Sequence, residues 1–261
     1  CETRVETITD AKIKQFAEIF NNKIACIEVG LETSNPWISK FCVNKALLME
    51  DYIHSMSVLR KYHVLSIANV IVGSPFLSTK ETIDDAVKTV QWALSHGTDK
   101  CTIFPVHVKR WTLVEWLWKN EQYKPVSLWS LIEVLRRLGP SLAQRVTISW
   151  YRLYIEKMEK GRLDSSTDLG YLSSPTTCPL CQSRVISLLD TYRDNNEFSV
   201  IEELSNIECE CKNTWRSTIE ASEPLSLPKR VIIAYEAIGR DVLGERWWNE
   251  NGEYLCEELK A

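Results

Sequence analysis

The sequence predicts an α/β fold: part of a (β/α) TIM-type barrel of parallel strands, followed by a C-terminal four-cysteine zinc-binding subdomain. Two observations carry this prediction. Short apolar runs rich in β-branched residues alternate with segments whose apolar residues recur every three or four positions, as strands alternating with helices do. Two pairs of closely spaced cysteines follow the alternating part, and such pairs are typical of a metal site.

The clearest unit is a strand, a helix and a second strand. Residues 24–35 and 65–75 are the apolar runs, and Met49 to Lys61 between them has one apolar face. Such a unit implies parallel strands joined by a right-handed crossover. A further helix is expected from Thr79 to Leu94, opened by a capping box between Ser78 and Glu81.

The alternation continues on both sides of this unit. A strand end at the N-terminus and a helix from Ala11 to Phe20 precede it. The segments expected after it are a strand at 101–106, helices at 113–118 and 127–138, the second ending at Gly139-Pro140, and a strand at 145–150.

Three regions are expected from this pattern. Residues 1–156 would form the C-terminal part of a barrel, and residues 157–227 the four-cysteine subdomain, beginning with a loop-like stretch at 157–177. Residues 228–261 would contain an amphipathic helix from Val231 to Leu243 and then a short tail. The chain begins at Cys1 in what reads as the middle of a domain, so we expect further sequence upstream.

Composition narrows the functional classes. The 261 residues are 44% hydrophobic and 25% charged, which is ordinary for a globular protein. A net charge of −4 gives no general attraction to nucleic acid, although a local basic patch could still provide it. No apolar run approaches the roughly 20 residues that span a bilayer, so we expect no membrane partner and a cytoplasmic location.

Polar residues follow the two strands of the first unit. Glu32 and Ser34 come after the first strand, and Gly73 and Ser74 after the second. In parallel α/β folds, ligands bind at the carboxyl ends of the strands. These residues are therefore candidates for a binding site, although turn residues would give the same pattern.

Four short motifs resemble the radical S-adenosylmethionine (radical SAM) superfamily in order and spacing. They are Glu2-Thr-Arg4, the Glu-Val-Gly-Leu-Glu-Thr-Ser segment ending at Ser34, Val43-Asn-Lys45, and Asn69-Val-Ile-Val-Gly-Ser-Pro75. Over nearly the whole chain, the sequence is most similar to the archaeosine-biosynthesis radical SAM lyase family, which acts on a modified tRNA base. Residues 75–78, 112–118 and 177–181 carry that closer likeness.

The resemblance implies an S-adenosylmethionine (SAM) site. Glu2 would bind the SAM amino group, and Glu32 and Asn69 the ribose hydroxyls. The remaining cofactor residues would be Lys45 and Ser34 at the carboxylate, Arg4 at an anionic group, and Phe104 and Pro105 beside the adenine. The residues themselves also permit solvated rim charges at Lys45 and Glu32, and a core position for Phe104.

One motif of the superfamily is missing. Its Cys-x-x-x-Cys-x-x-Cys sequence, which holds a 4Fe–4S cluster, does not occur in these 261 residues. We expect the cluster ligands to lie upstream of Cys1. The alternative is that the resemblance concerns the fold alone.

Basic residues follow the 101–106 strand. His107, Lys109 and Arg110 could bind an anionic substrate or a tRNA phosphate. A basic loop exposed to water would look the same.

The four clustered cysteines are Cys178, Cys181, Cys209 and Cys211. Four thiolates with no open position suit structural zinc. An auxiliary iron–sulfur cluster is the alternative.

The sequence therefore predicts a radical SAM enzyme, a lyase or a transferase. Its cofactors would be SAM, a 4Fe–4S cluster with ligands outside this chain, and zinc. It would need an electron donor, and it would act on a modified tRNA base or a small molecule. The alternative is a non-catalytic module with a structural zinc site that binds tRNA or a protein partner.

Overall fold

A computed structural model describes residues 1–20, 24–152 and 170–259. Its centre is a sheet of five parallel strands that neighbour one another in chain order, as the repeated strand–helix pattern requires. These strands are β1 (Glu2–Thr3), β2 (Cys26–Glu32), β3 (Leu65–Val72), β4 (Lys100–Pro105) and β6 (Val146–Ile148).

Helices connect the strands of the sheet. They are α1 (Asp10–Phe20), α2 (Pro36–Phe41), α3 (Met49–Lys61), α4 (Thr79–Ser95), α5 (Leu113–Lys119) and α6 (Leu128–Ala143). The capping box expected at the start of α4 is present, because Ser78 and Glu81 satisfy each other's backbone amides.

The main core lies between the sheet and these helices. Val29, Val70 and Ile103 are fully buried on neighbouring strands, and Leu59 and Val90 pack against them from α3 and α4. A continuous apolar layer of this kind explains why the strands read as apolar runs rather than as alternating patterns.

The C-terminal part adds a small antiparallel sheet and five helices. The sheet pairs β5 (Val108–Lys109) with β7 (Tyr171–Ser173). The helices are α7 (Pro179–Asn195), α8 (Phe198–Ser205), α9 (Glu210–Glu220), α10 (Leu227–Ile238) and α11 (Glu245–Glu258), with a π-helical segment at Gly239–Leu243 between the last two.

The α/β class and the parallel strands are confirmed. The end of the 127–138 helix at Gly139-Pro140 is confirmed as well, because Gly139 takes a non-helical φ of 71° and a second, short helical segment follows to Ala143. One local prediction is wrong, since the expected C-terminal tail contains the helix α11. The short helix α2 was not anticipated. The boundary after residue 156 and residues 157–169 of the expected loop lie outside the described residues.

None of the helices in the described ranges is both long and apolar enough to cross a bilayer.

The side chain of Tyr192 attaches α7 to the sheet. Its buried hydroxyl lies 2.8 Å from the carbonyl oxygen of Ala143 and 2.9 Å from that of Val146, at the start of β6.

We predict that Tyr192→Phe lowers the free energy of unfolding by about 1–2 kcal/mol, because buried acceptors lose their donor. Chemical denaturation measures this. Tyr254→Phe, at an exposed position on α11, is the control, and equal losses in the two variants would contradict the assignment.

Candidate functional site

A cavity of about 730 Å³ opens at the carboxyl edge of the sheet. Five of the predicted cofactor residues line it, and they come from the ends of three strands (β1, β2 and β4) and from the loop between α2 and α3. They are Glu2, Arg4, Glu32, Lys45 and Phe104. The structure thus brings together residues that lie up to 102 positions apart in the chain, from Glu2 to Phe104.

An ion pair occupies the centre of this cavity wall. The ammonium of Lys45 lies 3.0 Å from Oε1 of Glu32 and donates to the carbonyl of Gly30 at 2.5 Å. The two side chains are only 20% and 16% exposed. The second carboxylate oxygen of Glu32, Oε2, is buried and finds no hydrogen-bond partner among the described residues. A buried acceptor without a donor is costly.

The backbone of β2 is distorted to present this pair. Gly30 pairs with Asn69 and Glu32 with Val70, so Leu31 is the extra residue of a bulge. Glu32 has a φ of 66°, a left-handed conformation that costs a non-glycine residue of order 1 kcal/mol. A Cβ atom on Gly30 would lie 2.6 Å from both Glu32 Oε1 and Lys45 Nζ. Glycine is therefore required here by the ion pair.

The loop that carries Lys45 is held between two left-handed residues. Asn44 has a φ of 57° and Ala46 a φ of 48°. The loop follows α2, whose last residue, Phe41, accepts a hydrogen bond from the Tyr235 hydroxyl at 2.7 Å. Helices α10 and α11 thus support the segment that positions Lys45.

Glu2 and Asn69 contact each other directly. The Asn69 amide donates to Oε1 of Glu2 at 3.2 Å, and Asn69 is only 6% exposed. Asn69 therefore orients the carboxylate of Glu2, a role that the sequence did not reveal.

Ser34 and Pro105 are placed differently. The Ser34 amide donates to the Thr89 hydroxyl at 3.0 Å, and the Ser34 hydroxyl lies 3.3 Å from it, so Ser34 faces α4. Pro105 is buried in β4. The bulge after Gly30 explains the direction of Ser34, because an extra residue inverts the alternation of side chains.

A buried carboxyl group anchors the end of β2. Thr33, next to Glu32, donates its hydroxyl to Asp85 at 2.8 Å. Burial raises the pKa of Asp85 to about 6. Sequence reasoning missed this residue, although an aspartate between Ile83 and Ala86 on the apolar face of α4 was a visible signal.

The basic residues after β4 lie at the small sheet and do not line the cavity: Lys109 belongs to β5, and His107 and Arg110 flank it. Nδ1 of His107 is 3.1 Å from the Ser174 hydroxyl, and its ring packs against Tyr171 at 5.1 Å. Burial lowers the pKa of His107, which favours the neutral imidazole. The Lys109 ammonium lies 4.8 Å from the centre of the Tyr171 ring, a cation–π distance.

The four cysteines converge as predicted. All four sulfur atoms lie within 4.8 Å of one another. The separations are 3.6 Å for Cys178–Cys181, 3.4 Å for Cys178–Cys209, 3.5 Å for Cys181–Cys211 and 3.5 Å for Cys209–Cys211. A tetrahedral ion with metal–sulfur bonds of about 2.3 Å needs edges of about 3.8 Å. The quartet can therefore hold one metal ion.

Two helix N-termini point at the quartet. Cys178 is the N-cap residue of α7, and Cys209 is the N-cap residue of α9. Free backbone amides and the positive end of the helix dipole stabilise a thiolate there. The backbone amide of Cys181 lowers the pKa of Cys178 to about 6, whereas burial raises the pKa of Cys181 to about 12.

The indole of Trp129 completes the surroundings of the quartet. Its Nε1 donates to the sulfur of Cys211 at 3.3 Å. On α9, Trp215 donates to the Ser130 hydroxyl at 2.9 Å. The four-cysteine site thus connects α7 and α9 to α6, as a site that stabilises the fold would do.

The solved structures support the fold class. The archaeal Elp3 of Methanocaldococcus infernus, solved with an N-terminal deletion, matches with a TM-score of 0.52 and 18% identity, over 75% of this chain and 41% of that one. This likeness concerns the fold. No protein-family model matches the sequence.

Sequence relatives give a more specific likeness. Archaeosine synthase subunit beta of Methanosarcina acetivorans is 28% identical over 222 residues, which cover 85% of this chain and 59% of that protein. The protein of the same name from Thermococcus kodakarensis is 26% identical over 84% of this chain and 62% of its own length. The chain thus spans less than two thirds of these curated relatives.

The chain shares its fold with the Elp3 structure. In sequence, it is similar to the beta subunit of archaeosine synthase.

The raised pKa of Asp85 predicts a pH-dependent stability. In the unfolded chain this carboxyl group has a pKa near 3.8 and in the folded protein about 6, so its penalty is absent below pH 3.8 and complete above about pH 6. Asp85→Asn keeps an acceptor for Thr33. It should raise the free energy of unfolding by about 1–3 kcal/mol at pH 7.5 and have little effect at pH 4.

Asp84→Asn is the matched control. Partial burial acts to raise the pKa of Asp84, but hydrogen bonds and charges from Lys80 and Arg137 lower it overall. This substitution should therefore destabilise the protein at pH 7.5. Thermal unfolding of both variants at the two pH values decides, and a loss of stability in Asp85→Asn at pH 7.5 would contradict the assignment.

Proposed function

We propose that this chain forms the SAM-binding part of a radical SAM enzyme that modifies a tRNA base. The observation that carries the proposal is the Glu32–Lys45 ion pair, because both residues line the cavity. The names of the relatives favour a tRNA base over a small-molecule substrate. The reaction class that we favour is a C–N lyase or a group transfer.

The residues of the cavity fit the polar groups of SAM. Glu2, oriented by Asn69, offers a carboxylate for the amino group, and charge-assisted contacts of this kind are strong. Lys45 offers an ammonium for the carboxylate, and Glu32 an acceptor for the ribose hydroxyls. Phe104 would border the adenine, and Arg4 would bind a further anionic group.

Ser34 and Pro105 have weaker roles in this proposal. Ser34 is engaged with Thr89, and Pro105 is buried. We therefore assign SAM contacts to the residues that line the cavity.

A 4Fe–4S cluster, with ligands outside these 261 residues, would supply the electron that cleaves SAM. The contribution of this chain is to hold the adenosyl group in a fixed orientation and to limit the access of water. The Glu32–Lys45 pair would serve the first purpose, because the bulge in β2 positions Glu32 and the contacts with Gly30 and Glu32 hold the Lys45 ammonium.

For the four-cysteine site we propose zinc with a structural role. A single ion suits sulfur atoms about 3.5 Å apart. The four thiolates of a 4Fe–4S cluster each bind a different iron atom and must lie farther apart. Zinc binding would release protons, because cysteine binds the metal as a thiolate.

The test of the proposed function is SAM binding to the full-length protein, reconstituted anaerobically with iron and sulfide. Glu2→Gln and Lys45→Met should each weaken the SAM Kd about 10- to 100-fold, because a charged partner is lost. Glu18→Gln and Lys14→Met, at exposed positions on α1, are matched controls. Unchanged affinity in the cavity variants would reject this placement of the site.

Two further measurements test the same site: SAM binding by a Gly30→Ala variant and the products of SAM cleavage. Gly30→Ala should weaken SAM binding with little change in unfolding temperature, because its methyl group displaces only the ends of the Glu32 and Lys45 side chains. Wild-type protein should release 5′-deoxyadenosine or methylthioadenosine from SAM. Protein that takes up no cluster and yields neither product would favour the non-catalytic binding module.

For the cysteine site we predict about one zinc per chain by elemental analysis. Cys209→Ser should lose the metal and lower the unfolding temperature, because the ion joins α7 and α9. Cys256→Ser, on α11 and outside the quartet, is the control and should change neither. Iron with inorganic sulfide in place of zinc would overturn the prediction.

A further inference from the structure

The turn between β5 and α5 displays an exposed tryptophan. Trp111 is 95% exposed, the highest exposure of any large hydrophobic residue in the described ranges. Its φ of 65° places a bulky side chain in the left-handed region. An exposed indole and a left-handed backbone are both unusual for a residue that serves only the fold. We therefore consider a role for Trp111 in binding a partner.

Hydrogen bonds hold this turn in place. The Thr112 hydroxyl donates to the Lys109 carbonyl at 2.7 Å and accepts from the Glu115 amide at 3.2 Å, where it caps α5. The Trp111 amide donates to the Glu115 carboxylate at 2.6 Å, and the Arg110 amide to the Gly170 carbonyl at 2.7 Å. The indole is therefore presented by a pre-organised turn, not by a loose one.

The surroundings of Trp111 combine aromatic rings with positive charge. Lys109 and Arg110 precede it, and the Lys109 ammonium lies against Tyr171 and 6.0 Å from the centre of the Trp150 ring. Trp150 is itself 49% exposed. Among the described residues, the carboxylate of Glu115 beside the turn is paired with Lys119 at 2.7 Å. A protein of net charge −4 thus carries a local patch of basic and aromatic residues.

The patch lies on the same edge of the sheet as the cavity. Phe104 lines the cavity at the end of β4, and Trp111 follows seven residues later. Seven residues span no more than about 25 Å, which is short compared with a folded RNA.

We propose that this turn is a docking site for RNA, in which Trp111 stacks on an unpaired base and Lys109 and Arg110 contact the flanking phosphates. Aromatic side chains stack on any base, and cations beside them supply the phosphate contacts. The proposed action on a tRNA base favours RNA as the occupant over a protein ligand or a membrane. The inference rests on the proposed function, because it assigns the contact that brings a tRNA loop to the cavity edge.

The test uses the full-length protein and a transcribed tRNA at low salt. Trp111→Ala should weaken tRNA binding about 5- to 100-fold, the range that stacking on one base provides. Tyr254→Ala, at another exposed aromatic residue, should leave affinity unchanged. Lys109→Gln should make the dependence of log K on log salt shallower by about one unit.

Duplex RNA and a glycine variant separate base stacking from other effects of the Trp111 substitution. A blunt RNA duplex, which offers no unpaired base, should bind wild type and Trp111→Ala equally. Trp111→Gly should leave the unfolding temperature unchanged or higher while it weakens tRNA binding, because glycine relieves the left-handed strain. Equal tRNA affinity in wild type and Trp111→Ala, or no tRNA binding by wild type, would overturn the inference.

The SAM affinity of the same variants separates the two proposals. Trp111→Ala should bind SAM as wild type does. If the Glu2 and Lys45 variants lose SAM affinity while Trp111→Ala binds tRNA as wild type does, the proposed function stands and the docking site is wrong. If tRNA binding depends on Trp111 while SAM is not bound, the docking site stands and the proposed function is wrong.

Discussion

The ammonium of Lys45, held between the Gly30 carbonyl and the Glu32 carboxylate, is the contact on which the candidate site depends. Partly buried ion pairs are weak evidence for stability, because desolvation offsets much of the attraction. This one also requires a bulge, a left-handed glutamate and a glycine. A chain selected for stability alone has little reason to keep that combination, whereas a polar ligand gives it one.

Contacts from distant parts of the chain hold the two segments that carry Glu32 and Lys45. The Tyr235 hydroxyl and the carbonyl of Leu259, which accepts from the Trp37 indole at 3.4 Å, fix the two ends of α2. The loop with Lys45 follows directly. On the other side, Asp85 holds Thr33 beside Glu32. Helices that are distant in the chain, α4 and α10, therefore contribute to the geometry at the end of β2. The C-terminal helices thus support the candidate site.

Much of this structure was predictable from sequence, and the reasons differ by element. Strands β2 and β3 and helices α3 and α4 have strong periodicity, and the convergence of Glu32 and Lys45 followed from the motifs that resemble the radical SAM superfamily. Helix α11 was missed because Trp247 and Trp248 precede polar residues and a glycine, which reads as a tail. The direction of Ser34 and the contact of Asn69 with Glu2 depend on a bulge and on neighbouring strands, and local sequence contains neither.

The most direct test of the SAM site is a crystal structure of the full-length, cluster-containing protein grown anaerobically with SAM. The account predicts SAM in the 730 Å³ cavity, with its carboxylate at Lys45 and its ribose at Glu32. SAM bound elsewhere would contradict it, for example in the larger cavity of about 840 Å³ between α4, α9 and α10.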